Sequence, residues 1–416
     1  MSARQWTARN IIGHLKKKGI RYWMGASFVF LLTVTGSPYL YDYLHIKDGR
    51  AQFFQRLLEW GPRPPEPNYI KIVLIEDDEY WGPSLGGRRP IKRDYLAILI
   101  DKLVSLQSHV IALDFDVRLP NPASLDIPQE YKEETDVLIH AILNAAEHGT
   151  KIVLATPISY DEQRRYRKDA DIYQAHGLCQ QTTNTFRLSE TVTKNISCGY
   201  IALPYDPLVI PGPLLLSNGE YLDSFALAIA KMERPELVKR LLDRFGTTPR
   251  YANYISYEKL QSANAIVSAR SVLRGAIDKE VFEGRAVIVG AHWSLLAADR
   301  GPKVDQHWTP VGQVVGAALQ ANFAEALLDS RVFKGTPDWI LRTTEVLFSI
   351  VAAVVFAILI SAWGKVFGIV SLFVVMLFVQ WSMLHGFGVF FDALVPLLGL
   401  GLHSLYERLL RVSEAT

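Results

Sequence analysis

The feature that most constrains this chain is an uncharged apolar run at residues 346–363, which reads VLFSIVAAVVFAILISAW. Its length is close to the ~20 residues that an α-helix needs to cross the hydrocarbon core of a bilayer. Such a run is unfavourable in water, so a bilayer would fix the position of the rest of the chain. The sequence therefore predicts a membrane anchor that carries a large water-soluble domain.

The bulk composition suits a chain that is partly in a membrane and partly in water. The chain has 416 residues, of which 49% are hydrophobic, and its length predicts two or more structural units. The formal net charge is only +2. No basic field therefore points to nucleic acid as a partner.

The N-terminal region has the pattern of a signal sequence. Residues 1–21 contain basic but no acidic side chains, and residues 22–41 carry no formal charge. The apolar part is longer than a usual signal-peptide core and no clear cleavage site follows, which favours an uncleaved first span at residues 22–43. The basic flank puts the N-terminus in the cytoplasm. An amphipathic surface helix at residues 6–18 is compatible with that span.

Two further spans are predicted after the run at residues 346–363. Residues 366–391 contain no Lys, Arg, Asp or Glu, and residues 389–406 form a weaker candidate because they include Asp392 and Pro396. One span before the domain and three after it put both termini in the cytoplasm, in agreement with the positive-inside rule. The expected cytoplasmic tail, residues 407–416, is too short for an output domain.

Between the spans, residues 44–336 have the composition of a globular domain with alternating strand and helix patterns. A stiff Pro-rich linker is expected at residues 61–67. Strands are predicted at residues 69–75, 110–115, 151–156 and 285–290. Helices are predicted at residues 92–106, 134–148, 221–245, 263–275 and 314–328. This alternation predicts an α/β domain with a mainly parallel sheet that is covered on both faces.

A polar excursion, residues 159–197, interrupts that alternation. The two cysteines of the chain, Cys179 and Cys198, lie near its end. In an oxidising compartment they are candidates for a disulfide, and the alternative is two unpaired thiols. Two cysteines cannot provide a four-thiolate zinc site.

Charged side chains follow two of the predicted strands. Asp77 and Asp78 come after the first strand, and Asp114 and Asp116 after the second. Ligands of open parallel sheets bind outside the carboxyl ends of the strands, and carboxylates there suit a divalent cation. Arg93 would complete a polar ligand site. The alternative is a structural network of ion pairs that supports the loops.

A second polar group, His292, Asp299, Asp305 and His307, follows the predicted strand at residues 285–290. A metal site is conceivable there, but the spacing fits no zinc pattern, and a polar surface loop is the simpler interpretation. The sequence has no nucleophile elbow, no HExxH and no Walker loop. We therefore expect no enzymatic activity, and the sequence identifies no cofactor.

Four stretches together resemble the second type of CHASE domain, a family of bacterial extracytoplasmic sensor domains. They are IEDDEYWGPSLGGRRPIKRDYLAILIDKL at residues 75–103, VIALDFDV at 110–117, YANYIS at 251–256, and the segment from RAVIVGAHW to the helix QANFAEALL at 285–328. The resemblance covers residues 44–406 and implies one span before the domain and three after it. Two departures stand out. Gln320 and Ala321 precede Asn322, where the family commonly has a His before Ala-Asn, and family members usually continue into a cytoplasmic output domain.

The resemblance implies reception of a ligand or of a partner protein. We expect a bacterial inner-membrane receptor with a periplasmic domain that signals through a separate output protein. The alternative is a structural or accessory subunit of a multiprotein membrane assembly. Homo-oligomerisation is compatible with both functions.

Overall fold

The structure is a computed structural model that describes the chain in segments. The described residues are Met24 and residues 46–61, 69–118, 129–160, 173–175, 178–179, 190–203, 206, 208–246, 250–262, 264–297, 300–329, 331–358 and 362–391. Apart from Met24, the predicted first span lies outside these residues, as do the linker at residues 62–67 and nearly all of the predicted fourth span.

The described helices and strands are these. The helices are α1 (Ile46–Glu59), α2 (Asp77–Tyr80), α3 (Arg93–Ser105), α4 (Gln129–Glu147), α5 (Glu190–Asn195), α6 (Phe225–Glu233), α7 (Pro235–Phe245), α8 (Ile255–Ser262), α9 (Ala269–Leu273), α10 (Gly316–Leu328), α11 (Asp338–Ile358) and α12 (Ala362–Phe387). The strands are β1 (Ile70–Glu76), β2 (Val110–Leu113), β3 (Lys151–Thr156), β4 (Ile158–Tyr160), β5 (Tyr173–Ala175), β6 (Ile196–Tyr200), β7 (Leu214–Leu215), β8 (Tyr221–Leu222), β9 (Arg250–Ala252), β10 (Ile266–Ser268), β11 (Ala286–His292), β12 (Ser294–Leu296), β13 (Arg300–Lys303), β14 (Gln306–Thr309), β15 (Gly312–Val315), β16 (Val332–Gly335) and β17 (Val389–Phe390).

Six parallel strands form the central sheet in the order β10-β1-β11-β2-β3-β6. β11 lies between β1 and β2, where Val289 pairs with Val73 on one side and with Leu113 on the other. The middle strands are buried nearly throughout because helices cover both faces, as is usual in parallel sheets. The predicted mainly parallel α/β fold is confirmed.

Side chains alternate between the two faces of the sheet. Leu113, Leu154 and Val289 belong to a buried cluster that also contains apolar residues of α3 and α4. The alternate positions, such as Ala112 and Ile288, point to the opposite face. There α6 and α10 pack against the sheet, and every residue of α10 is buried.

Two predicted helices differ from the structure. The predicted helix at residues 221–245 is a short strand, β8, followed by α6 and α7, which are separate because Pro235 begins the second one and lacks a backbone N–H. The predicted helix at residues 263–275 contains the edge strand β10 and only five residues of helix, α9. The apolar residues of β10 pair with β1, which overrides local helix propensity.

The described chain divides into two compact units. Pro62–Val332 contains the central sheet, and the second unit combines the residues before Pro62 with those from Phe333 onward. α1, which fell within the expected sensor domain at residues 44–336, therefore groups with the C-terminal helices. Within this second unit Phe54 packs edge-to-face on Phe333 and Phe390, with ring centroids 5.7 and 4.6 Å apart.

The described residues contain one helix that is long and apolar enough to cross a membrane, Val366–Phe387. The uncharged run at residues 366–391 supplies the predicted third span, and His385, Gly386 and Gly388 predict where it ends; the helix does end at Phe387, where Gly388 takes a φ of 65° and β17 begins. The second predicted span is described only as far as Ile358. Four spans therefore stay a prediction.

The packing of α10 on β11 requires a glycine at position 290, and this gives a stability prediction. A Cβ built on Gly290 would overlap the Cβ of Ala317 in α10. We expect Gly290→Ala to lower the stability by about 1–3 kcal/mol, the usual cost of overpacking a core. The measurement is thermal unfolding of the full chain in detergent.

The matched control is Gly49→Ala in α1, because a Cβ there would meet no atom within 4 Å. An alanine in an exposed helix position is expected to be neutral or to stabilise by about 0.5–1 kcal/mol. Equal melting temperatures for Gly290→Ala and the wild type would contradict the close packing of α10 on β11.

Candidate functional site

The carboxyl ends of three neighbouring strands meet at one edge of the central sheet. β1 is followed by Asp77, β2 by Asp114, and β11 ends at His292, which is followed by Trp293. Since the strands are parallel and adjacent, their C-terminal residues share this edge. It is the edge at which ligands of open parallel sheets bind.

Asp77 is engaged by the protein itself. Its carboxylate accepts hydrogen bonds from the backbone N–H of Ser294 at 2.6 Å and from the Ser294 hydroxyl at 3.1 Å, and it forms an ion pair with Lys303. The indole N–H of Trp81 donates to the Ser294 carbonyl at 3.2 Å. Asp77 thus ties the end of β1 to the β12–β13 hairpin.

Asp78 and Glu79 have different surroundings although they are neighbours in α2. Asp78 is exposed and forms an ion pair with Arg270. Glu79 is buried, and burial raises the pKa of its carboxyl, an effect that the nearby hydroxyl of Tyr95 reduces. The strand-end pattern missed Glu79, which only its burial distinguishes from the exposed acids around it.

Arg93 is buried and holds α3, α4 and the loop after β2 together. Its guanidinium donates to the Thr135 hydroxyl at 2.8 Å and to the Arg118 carbonyl, and it lies 4.5 Å from the ring centroid of Tyr131. Burial lowers the pKa of the Arg93 guanidinium. These contacts favour a structural role for Arg93 over ligand contact.

Asp116 is likewise paired within its own loop. Its carboxylate lies 2.7 Å from the guanidinium of Arg118 and accepts a hydrogen bond from the Arg118 N–H at 3.2 Å. Asp116 is exposed, so this ion pair is expected to add little to stability.

Asp114 differs from the other strand-end acids. Among the described residues none donates a hydrogen bond to its carboxyl, which is partly buried beside Asp305 and His307. Burial, reinforced by the carboxylate of Asp305, raises the pKa of Asp114 to about 7, and His307 opposes the shift. Asp305 and His307 are themselves paired at 2.8 Å. The arrangement can therefore exchange a proton near neutral pH.

Three aromatic rings pack next to the acidic side chains at these strand ends. Trp293 stacks on Tyr80, with centroids 4.0 Å apart and planes 5° apart, and a second ring, Phe115, lies 6.3 Å from Trp293. The hydroxyl of Tyr80 donates to the carbonyl of Gly87 at 3.1 Å. The rings fix the loops that follow β1, β2 and β11 against one another.

The group His292, Asp299, Asp305 and His307 is only partly assembled. The structure brings Asp305 and His307 to Asp114, whereas Asp299 lies outside the described residues. Within the described part of the chain, no group of three or more His, Cys, Asp or Glu side chains is arranged to hold a metal ion.

Cys179 and Cys198 form a disulfide in the structure, with their Cα atoms 6.2 Å apart. Cys198 lies in the edge strand β6, which pairs with β3. The bond therefore attaches the polar excursion to the edge of the central sheet.

The two aspartates of α2 allow a direct test of the structural role assigned to Asp77. Asp77→Ala removes the acceptor of the Ser294 N–H and the carboxylate that pairs with Lys303, so we expect a loss of about 1–3 kcal/mol in the free energy of unfolding. Asp78→Ala is the control, because an exposed ion pair contributes about 0–1 kcal/mol. Denaturant unfolding measures both, and equal losses would contradict the assigned role of Asp77.

Comparison with protein-family models matches residues 27–363 to the CHASE2 domain. Searches of curated proteins and of solved structures gave no significant match. The family match confirms the resemblance seen in the sequence motifs. It covers the central sheet, its helices and the strand-end site, which is the group of charged and aromatic side chains at the carboxyl ends of β1, β2 and β11. CHASE2 domains are extracytoplasmic sensor domains. From this match over most of its length, the chain belongs to the CHASE2 domain family.

Proposed function

We propose that the protein is a bacterial inner-membrane receptor whose extracytoplasmic domain detects a stimulus and signals through a separate output protein. The observation that carries the proposal is the family match over residues 27–363, since CHASE2 domains are extracytoplasmic sensor domains. The apolar helix Val366–Phe387 supports a membrane location. The proposed topology has four spans, a periplasmic domain and cytoplasmic termini.

The second compact unit supports transmission between the domain and the membrane. α1 precedes the domain in the chain and β16 follows it, and both contact the same region around the end of α12. The imidazole of His385 in α12 lies 2.9 Å from the carbonyl of Leu57 in α1, and β16 pairs with β17 through Lys334 and Val389. Movement of the chain at α1, before the domain, or at β16, after it, would therefore displace α12.

The strand-end site is the best candidate for the receiving site. Asp77, Asp78, Arg93 and Asp116 are paired within the protein, whereas the described residues donate no hydrogen bond to the carboxyl of Asp114. We assign this site to reception and not to catalysis. A protein that carries the output, and a second copy of this chain, are the expected partners beside the bilayer.

The proposed topology predicts which residues face the periplasm. Asp278 is exposed in the domain, and the native cysteines are joined in a disulfide, so a cysteine at position 278 would be the reactive thiol in this part of the protein. We expect a membrane-impermeant maleimide to label Asp278→Cys in spheroplasts. The control, Ser413→Cys in the predicted cytoplasmic tail, should react only after the inner membrane is permeabilised. Labelling in the reverse order would contradict the topology.

The receptor function predicts a small assembly. When the full chain is purified from its native membrane in mild detergent, we expect a monomer or small homo-oligomer with less than one equivalent of an output protein. Mass spectrometry and particle sizing measure this. A large stoichiometric complex whose architecture depends on the chain would instead favour the structural-subunit alternative.

A further inference from the structure

The carboxyl of Asp114, which accepts no hydrogen bond from the described residues, lies where β11 and α10 pack against the end of β2. A Cβ built on Gly290 in β11 would lie 3.9 Å from the Cβ of Asp114 and would overlap the Cβ of Ala317, so Asp114 is beside the first turn of α10. A Cβ built on Gly316, the first residue of α10, would overlap the carboxylate of Asp305. Asp114 thus lies near position 317 and Asp305 against position 316, two adjacent positions of the first turn of α10.

Asp305 also links this turn to the β14–β15 hairpin. Its carbonyl accepts a hydrogen bond from the N–H of Gly316 at 2.7 Å, while its carboxylate pairs with His307 of β14 at 2.8 Å. Val315, the residue at the N-cap of α10, has no side-chain hydrogen bond to the helix. The start of α10 therefore depends on the position of Asp305.

We propose that the carboxyl of Asp114 is a proton-operated latch that sets the position of Asp305, the β14–β15 hairpin and the first turn of α10. When Asp114 is protonated, Asp305 is the remaining carboxylate beside the first turn of α10, and the β14–β15 hairpin closes on that helix. Without the proton, the partly buried carboxylate of Asp114 is repelled by the exposed carboxylate of Asp305, and this repulsion favours displacement of Asp305. This inference rests on the proposed receptor function and makes a periplasmic pH change near neutrality the stimulus.

The charged groups on the surrounding elements support this assignment of the proton. Asp305 and His307 are the two groups that act on Asp114 from the hairpin, while the first turn of α10 contains no charged side chain. On β11 the position beside Asp114 is Gly290, and His292, two residues further on, lies on the same face of the sheet. On β3 the neighbouring positions are the uncharged Ala155 and Thr156.

The remaining charges nearby are engaged elsewhere. Asp116, in the loop after β2, pairs with Arg118. α6 packs against β2, but its Glu233 is 2.9 Å from the imidazole of His109 at the opposite end of that strand, and its Lys231 is 2.6 Å from Asp223. Among the side chains of these described elements, only His307 therefore opposes the rise in the pKa of Asp114.

The sign of the linkage follows from the raised pKa of Asp114. The folded chain holds this proton more tightly than the unfolded chain does, so the protonated form stabilises the fold at low pH. That contribution is lost as the pH rises through about 7. After α10 ends at Leu328, the chain runs on to β16 and then to the predicted spans. The first turn of α10 is therefore the start of the segment that leads to the membrane.

The test is hydrogen–deuterium exchange of the full chain in lipid nanodiscs, followed by mass spectrometry of peptides that cover residues 305–318. Exchange is compared from about pH 5 to about pH 9, after correction for the intrinsic pH dependence of amide exchange. We expect protection of these peptides to fall with a midpoint near pH 7 in the wild type. Asp114→Asn should remove this transition, and the matched control Asp116→Asn should retain it.

Two further variants test the proposal even if Asp114→Asn fails to fold. Asp305→Asn removes the repelling carboxylate and should move the midpoint to lower pH, whereas His307→Gln removes the opposing imidazole and should move it to higher pH. A transition that persists in Asp114→Asn, or that shifts in the same direction in both other variants, would overturn the latch.

The experiments distinguish a failure of the latch proposal from a failure of the receptor proposal. A wild-type chain without a transition in residues 305–318 overturns the latch, while its labelling topology and small assembly size would still support a receptor. Conversely, a normal titration in a chain that purifies as a fixed part of a large complex would support the latch and overturn the receptor assignment.

Discussion

The burial of both faces of a parallel sheet is the constraint on which the rest of this structure depends. Ile72, Ile288 and Leu113 sit in strands that helices cover above and below, and a charged group in such positions would have to leave water without a partner. The charged side chains of β1, β11 and β2 therefore lie at or next to the strand ends. These three inner strands bring their carboxyl ends to one edge, where Asp77, Asp114 and His292 are found.

Two carboxylates at this edge look equivalent in the sequence but have different roles in the structure. Asp77 accepts two hydrogen bonds from Ser294 and forms an ion pair with Lys303, and these contacts commit it to holding a hairpin. Asp114 occupies the matching place after β2, but Gly290 and Gly316 let α10 and Asp305 come close, and no described donor reaches its carboxyl. Close packing without a hydrogen-bond donor is what makes Asp114 sensitive to a proton.

The central strands could be predicted from the sequence because each contains a continuous apolar run, as in IVLI at residues 72–75 of β1. The edge strands could not. β6 reads ISCGY and β10 reads IVS, which are short, partly exposed stretches whose strand conformation depends on pairing with β3 and β1. Likewise the strand-end acids were predictable, but their partners were not, because Asp77 and Ser294 are 217 residues apart in the chain. Only the fold decides which acid is paired.

The order of elements along the chain connects the strand-end site to the predicted spans. α10 begins at the corner occupied by Asp305 and is buried along its whole length. It is followed by β16, which pairs with β17 at the end of the apolar helix α12. A buried helix cannot bend to absorb a displacement at one end without opening its packing, since protein interiors are close-packed. Under the proposed latch, a displacement of the first turn of α10 would therefore move the helix as a whole, including its C-terminal end at Leu328.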